Sequence, residues 1–144
     1  MDDALLKRML ALADSLQVRD KIKVVGAVPR RDVPRWLNEG DIFINTTNID
    51  NTPVSLIEAM ASGMCIVSTY VGGIRYLLEN YVNALLVPPD NPILMAFAVQ
   101  QILDEPILPL TLSTYARHRA EGFSWQLIYP LWEKIISQVL QEAG

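Results

Sequence analysis

Asp50 and Glu58 stand with seven residues between them, across a stretch that reads as the start of a helix, Asp50-Asn51-Thr52-Pro53-Val54-Ser55-Leu56-Ile57-Glu58-Ala59-Met60-Ala61-Ser62-Gly63. A loop carboxylate, a helix N-terminus and a second carboxylate one turn further on suit a polar, anionic ligand. The free amides of the first helical turn favour negative charge, and the carboxylates accept hydrogen bonds from hydroxyl groups. Thr52 reads as the N-cap, Pro53 as the first helical residue and Gly63 as a left-handed C-terminal cap. Between Val54 and Ala61 the only ionisable side chain is Glu58, and its neighbours Leu56, Ile57, Ala59 and Met60 cover most directions around the axis. A helix apolar nearly all round is expected to be buried. A carboxylate there needs donors, because burying an unpaired charge is costly. The hydroxyl groups of a sugar are one supply. From spacing alone a plainer arrangement stays open, in which Glu58 points to solvent and Asp50-Asn51 is only a turn-favouring loop.

Such a site needs elements that bring loops together. Leu5, Leu6, Met9, Leu12, Ala13 and Leu16 recur at helical spacing, which predicts an amphipathic helix over residues 3 to 17. A first strand is expected at about 22 to 25, then a helix capped by Asp32 and running to Asn38, with Val33, Trp36 and Leu37 inward. A strand from Ile42 to Asn45, the motif helix over 53 to 62, a strand from Cys65 to Ser68, a short helix from Ile74 to Glu79 and a strand from Ala84 to Val87 follow. After Asn91 the pattern is helical over 92 to 104, 107 to 120 and 125 to 142. Trp125, Ile128, Trp132, Ile135, Ile136 and Val139 in the last helix form a stripe expected to pack in the core. Short apolar strands alternating with helices imply an α/β fold, a doubly wound parallel sheet covered on both faces. Such sheets place ligands at the carboxyl ends of their strands. Three loops qualify: Ala27 to Arg31, Thr46 to Thr52 and Thr69 to Gly73.

The motif segment, with Ser68-Thr69-Tyr70-Val71-Gly72-Gly73-Ile74 after it, resembles the donor-binding half of the retaining GT-B glycosyltransferases of family 4, the glycosyltransferases group 1. Their signature is an acidic residue, seven others, then a glutamate followed by Ala-Met-Ala and a glycine. Here the second acid is Glu58, and the first position holds Asp50 where the family more often has glutamate, one methylene longer. Further landmarks run from Val24-Val25-Gly26-Ala27-Val28-Pro29 through Trp36 to Ile44 and Asn83-Ala84-Leu85-Leu86-Val87-Pro88-Pro89-Asp90, to Phe123-Ser124-Trp125.

The resemblance implies a Rossmann-like, C-terminal GT-B half that binds a nucleotide-diphosphate sugar. It places backbone groups of Val28 and Arg30 against the base, Glu58 on the ribose hydroxyls and the amides of Val54 and Ser55 on the diphosphate. Asp50, with Asn51 and Thr52 beside it, holds and orients the donor sugar. The reaction implied is metal-independent, cofactor-free glycosyl transfer with retention at the anomeric carbon, for carbohydrate biosynthesis, with Asp50 in an orienting and electrostatic role rather than that of a hydrolase's acid or nucleophile. Family members carry, ahead of the part matched here, two further strands, an arginine and a lysine that grip the diphosphate, and an acceptor-binding domain for a sugar, lipid-linked or other acceptor. None of these stands in this chain. Residues 1 to 144 are therefore expected to be a partial donor domain, with weak nucleotide binding and little transfer on its own. Arg30, Arg31 and Arg35 read as solvated helix-start residues rather than a substitute grip.

Composition excludes several other classes. One domain is the default for 144 residues with 51% hydrophobic content. Twelve Lys and Arg against 16 acids, a net charge of −4, argue against nucleic acid and anionic membranes as partners. Cys65 has no second cysteine to pair with and reads as a small buried hydrophobe in a strand. With no signal sequence and no apolar run of the ~20 residues that span a bilayer, a cytoplasmic setting is expected, membrane contact being left to the absent domain. Gly72-Gly73 lacks the third glycine of a dinucleotide fingerprint, which disfavours an oxidoreductase, and reads as a tight strand-to-helix turn. His118, between Arg117 and Arg119, reads as a surface residue, and Tyr70 and Tyr76 as packing. A non-catalytic nucleotide-sugar binding or regulatory module is the alternative reading.

Overall fold

A computed structural model describes residues 3–142 and divides into two compact units, 1–33 and 34–144, where length had suggested one domain. The first unit holds helix α1, Asp3–Ser15, and a single-turn 3-10 helix at Arg19–Lys21. Its periodic stripe does not form a core. Among the described residues Ala13 is its one buried hydrophobe, while Leu5, Met9, Leu12 and Leu16 lie exposed. The strand expected at 22 to 25 is not formed either: the sheet has three strands, and this segment is not one of them. A strand is stabilised by its ladder to a neighbour, and short apolar runs without one stay irregular. The unit ends in a second 3-10 turn, Arg30–Asp32, closed by the Asp32 amide donating to the Pro29 carbonyl at 2.8 Å. Asp32 therefore belongs to a tight turn ahead of helix α2, Val33–Leu37, which spans the boundary between the units.

The second unit is built on three parallel strands, β1 Ile42–Asn45, β2 Cys65–Thr69 and β3 Leu85–Val87, in the order β1-β2-β3. Ile42 pairs with Cys65, and Val67 with Leu85. Helix α3, Val54–Ala61, connects β1 to β2, and α4, Ile74–Leu77, connects β2 to β3. Helix α4 stops two residues short of the expected Glu79, because Leu78 turns extended. Helices α5, Pro92–Asp104, α6, Leu108–Glu121, and α7, Trp125–Glu142, complete the chain. Helix α5 starts where proline and asparagine dictate: Asn91 caps it by accepting from the Leu94 amide at 3.0 Å, and Pro92 takes the first position, where no N–H is needed.

Side chains alternate across β2, which is buried along its whole length, and thereby divide the core in two. Ile66 joins Leu56, Ala59, Met60, Ile74 and Leu77 with the later part of α6. Cys65 and Val67 join Leu85, Val87, Ala98 and Ile102 with the start of α6. The fold is thus α/β with helices on both sheet faces, as the unbroken apolar strands require. Helix α7 departs from its expectation. It has no buried residue, and Trp125, Trp132, Ile135, Ile136 and Val139 are all more than half exposed. A helical stripe records which face of a helix seeks cover, and not whether the chain itself supplies the cover.

Candidate functional site

The strand ends of this unit bring two of the three anticipated loops, those after β1 and β2, into backbone contact. Beyond Asn45, residues 46–53 lead from β1 into α3, and residues 70–73 lead from β2 into α4. A polar chain ties the first loop to β2. Asn45 Nδ2 donates to Ser68 Oγ at 3.0 Å, Ser68 Oγ to the Thr69 carbonyl at 3.1 Å, and Thr69 Oγ1 to the Thr47 carbonyl. Ser68 and Thr69 are buried, so these hydroxyls must be satisfied internally, and their bonds fix where the loop leaves the sheet. Asn48 Nδ2 then reaches Asp90 Oδ1 at 2.7 Å beyond β3. The Gly73 amide donates to the Asp50 carbonyl at 3.1 Å. The sequence reading missed this frame. Its signal was present in polar residues clustered at the carboxyl ends of apolar strands, Asn45-Thr46-Thr47 and Ser68-Thr69.

Helix α3 begins one residue later than expected. Pro53, at φ −64° and ψ 121°, is the cap residue, so Thr52 is not, and no side chain caps the helix. Proline disfavours a helical conformation for the residue before it, which leaves Thr52 outside the helix, and with ψ extended the proline itself stands outside the first turn. The Leu56 amide finds the Pro53 carbonyl at 3.1 Å. The amides of Val54 and Ser55 have no acceptor among the described residues. The other end closes as expected. Gly63 sits at φ +75°, its amide bonds the Met60 carbonyl at 3.1 Å, and the Met64 amide bonds the Ala59 carbonyl at 3.2 Å. Those are the two bonds of a Schellman motif, and they define the helix's length.

The burial of α3 is one-sided, contrary to the expectation of a helix covered nearly all round. Leu56, Ala59 and Met60 are completely enclosed, whereas Val54, Ser55 and Ala61 are exposed. Glu58 stands one turn after Val54 on the open side and is half-buried. Its carboxylate makes no hydrogen bond or ion pair among the described residues; only its backbone carbonyl is used, by the Ser62 amide at 3.0 Å and the Ser62 hydroxyl at 2.9 Å. Asp50 is half-buried, and Asn51 and Thr52 are exposed. Two half-buried acids, two exposed polar side chains and two open amides therefore share one loop and the first turns of one helix. Such a surface can receive an anion at the amides and hydroxyl groups at the carboxylates.

Val28 and Arg30 belong to the other unit, where Val28 is half-buried and Arg30 exposed. Arg31 lies 3.8 Å from Asp32, and Arg35 lies 3.5 Å from Glu39, both as exposed surface pairs. A cleft of about 530 Å³ opens beside the same strand ends, lined by Ile44, Thr46, Asn48, Thr69, Asp90 and Met95 among others; neither Asp50 nor Glu58 lines it. Cys65 is buried, and its thiol donates to the Pro109 carbonyl at 3.3 Å. Burial pushes the thiol's pKa up and the Asp41 carboxylate adds to the rise, so this cysteine is an inert packing residue. His118 is exposed, as its flanking arginines suggested. Among the described residues no three His, Cys, Asp or Glu side chains cluster closely enough to hold a metal, and no single helix is long and apolar enough to cross a membrane.

The sequence pattern of the glycosyl transferases group 1 matches residues 2–119. The chain is 28% identical, over 145 residues, to the amylovoran biosynthesis glycosyltransferase AmsK of Erwinia amylovora, an alignment covering 95% of this chain and 35% of that protein. It is likewise 28% identical, over 123 residues, to the D-inositol 3-phosphate glycosyltransferase of Frankia alni, covering 85% of this chain and 29% of that one. It therefore spans about a third of the length of these relatives. Among solved structures, the sucrose-phosphate synthase of Thermosynechococcus elongatus superposes with a TM-score of 0.88 at 24% identity, over 99% of this chain and 36% of that one. HepE of Anabaena, in complex with UDP-glucose, superposes with a TM-score of 0.87 at 20% identity, over 95% and 38%. These likenesses show the fold, a GT-B C-terminal domain. With the pattern matched over most of its length, the chain belongs to the group 1 glycosyltransferase family.

Proposed function

We propose that this chain is the donor-binding part of a retaining, metal-independent glycosyltransferase of family 4. The observation that carries this reading is the half-buried Glu58 carboxylate, which no described residue satisfies, one turn from two open amides at the start of α3. A carboxylate partly out of water with no internal partner is a standing cost unless a ligand supplies donors. A nucleoside diphosphate supplies both halves: a ribose diol for Glu58, and phosphate charge for the Val54 and Ser55 amides and the helix dipole. Asp50, with Asn51 and Thr52, faces the donor sugar.

In the reaction, the bond between the anomeric carbon and the diphosphate breaks, the acceptor oxygen forms the new bond on the same face, and the acceptor's hydroxyl proton passes to the departing diphosphate. The amides of α3 hold the charge that develops on the departing diphosphate, and Asp50 orients the sugar and stabilises the positive charge growing at the anomeric carbon. The acceptor, whether a sugar, a lipid-linked carrier or another hydroxyl compound, and the cationic groups that complete the diphosphate site come from outside these residues. The chain alone then binds nucleotide weakly and transfers little, and the whole enzyme works in the cytoplasm.

Calorimetric titration with UDP, GDP, ADP and NAD tests the donor site, and turnover of UDP- and GDP-sugars tests the activity. A nucleoside diphosphate that binds, with NAD silent and turnover slow, supports the reading. Binding that withstands loss of the Glu58 carboxylate refutes it, and clear multiple turnover by the 144-residue chain refutes the dependence on outside groups.

A further inference from the structure

The glycines of the second unit do different jobs. Gly63 sits at φ +75°, and a Cβ there would meet nothing within 4 Å, so backbone conformation alone demands glycine. Gly73 is the opposite case. Its φ of −77° and ψ of −9° suit any residue, yet a Cβ there would lie 2.5 Å from the carbonyl carbon of Asn51 and closer still to its oxygen. Gly72 combines both demands: φ is +49°, and a Cβ would lie 3.0 Å from the Asp50 carbonyl carbon and closer to its oxygen. A strand-to-helix turn would explain Gly72. It does not explain Gly73, whose lack of a side chain serves only the neighbouring loop.

We infer that Gly72 and Gly73 are positioning residues of the donor site, a bare stretch of backbone against which the Asp50 and Asn51 peptides rest. The Gly73 amide draws the Asp50 carbonyl in to 3.1 Å, and the absent Cβ atoms let it come that close. The contact sets the plane of the peptide that follows Asp50, and with it the direction of the Asp50 side chain and the path of Asn51 and Thr52 into α3. Carbon atoms settle at about 3.5 to 4.0 Å, so a methyl group at residue 73 has to push the Asn51 peptide back by on the order of 1 Å. A shift of that size at a binding group is enough to cost orders of magnitude in productive geometry. The Glu58 and α3-amide half of the site lies beyond Pro53, on a helix anchored by Leu56, Ala59 and Met60, and should stay in place. The sugar-facing role of Asp50 and Asn51 is that of the proposed function, on which this inference rests.

The test compares the parent chain with Gly73→Ala and Gly63→Ala, by amide NMR spectra without ligand and by titration with UDP, GDP and ADP and with their glucose conjugates. In Gly73→Ala the amide resonances of residues 48–52 should move, while those of α3, α5 and α6 hold. Its affinity for the nucleoside diphosphate should stay within threefold of the parent, and that for the glucose conjugate should fall at least tenfold. Gly63→Ala should leave both affinities within threefold. Equal losses for diphosphate and conjugate, or an unchanged conjugate affinity, overturn the inference. So does a Gly73→Ala chain without a cooperative thermal transition, because the contact would then hold the fold rather than aim one loop. Should no nucleotide bind the parent, the donor-site reading fails by itself. The spectra then decide the positioning claim: resonances of residues 48–52 moving in Gly73→Ala alone uphold it, and unmoved ones reject it.

Discussion

Replacing Glu58 by alanine should separate ligand binding from folding, because the carboxylate is bonded to none of the described residues. Hydrogen bonds to a charged group contribute ~1.5–3 kcal/mol each, and a ribose diol can give two. Since no internal partner competes for the Glu58 oxygens, taking the lower end for both bonds gives a loss of ~3 kcal/mol, or about a hundredfold in Kd. Glutamine at the same position keeps the volume and one neutral acceptor, so its loss should be nearer tenfold. Stability should barely respond. Glu58→Ala removes no protein contact by its polar atoms, exchanges one good helix former for a better one and lifts a half-buried charge, so the unfolding free energy should stay within ~0.5 kcal/mol or rise. The assay is a pair of measurements on parent and variants, thermal unfolding and nucleotide titration, the latter followed by NMR where binding is too weak for calorimetry. A 2′-deoxynucleotide adds the decisive arm. It should lose affinity for the parent and little for Glu58→Ala, because the hydroxyl and the carboxylate are each other's partners. A variant destabilised by more than ~2 kcal/mol whose nucleotide affinity stays within twofold would refute the reasoning, since a hidden structural role would be the remaining explanation.

Leu56→Ala should cost ~2–5 kcal/mol in chemical unfolding, because Leu56 is completely enclosed between the sheet and its helical cover. Its raised pKa keeps the Cys65 thiol protonated and slow to alkylate at neutral pH in the folded chain, whereas urea-unfolded chain should react at the rate of a free thiol. The same shift has a sign in stability. A group whose pKa is raised by folding contributes fully below its unfolded value, here about 9.0, and that contribution is lost as the pH climbs through the higher folded value, so Cys65→Ala should flatten the decline above pH 9.0. Trp132→Glu, on the uncovered face of α7, should leave the melting temperature of the chain unchanged, whereas the same change at Met60 should abolish folding.

Local rules proved readable where each residue's demand is met by its own neighbourhood. Strand β1 runs from Ile42 to Asn45 as its apolar run indicated, and Asn91 and Pro92 start α5 where capping chemistry put them. Gly63 ends α3 in the left-handed conformation only glycine adopts freely. The same rules failed by one residue at Thr52-Pro53, where cap and first-turn roles compete, and the extended proline became the boundary. Of the candidate site, the loop and helix carrying Asp50 through Glu58 were legible from residue type and spacing. The polar frame from Asn45 to Thr69 and the packing of Gly72-Gly73 on Asp50-Asn51 were not, because they join residues 20 or more positions apart, and which of these meet is decided by how β1 and β2 pair.

From residue types alone came the alternation of helix and strand and the one carboxylate in an otherwise apolar helix, because periodicity, turn chemistry and side-chain charge are properties of short segments; the family came from the likeness of the motif segments to a known pattern. Tertiary structure alone decided which apolar surfaces are covered. The stripes of α1 and α7 look like core in sequence and lie open, the segment at 22 to 25 has a strand's composition and no ladder, and α3 hides one side while it shows Glu58 on the other. A hydrophobic face or a strand edge states a need, and only the arrangement of the other elements determines whether it is met.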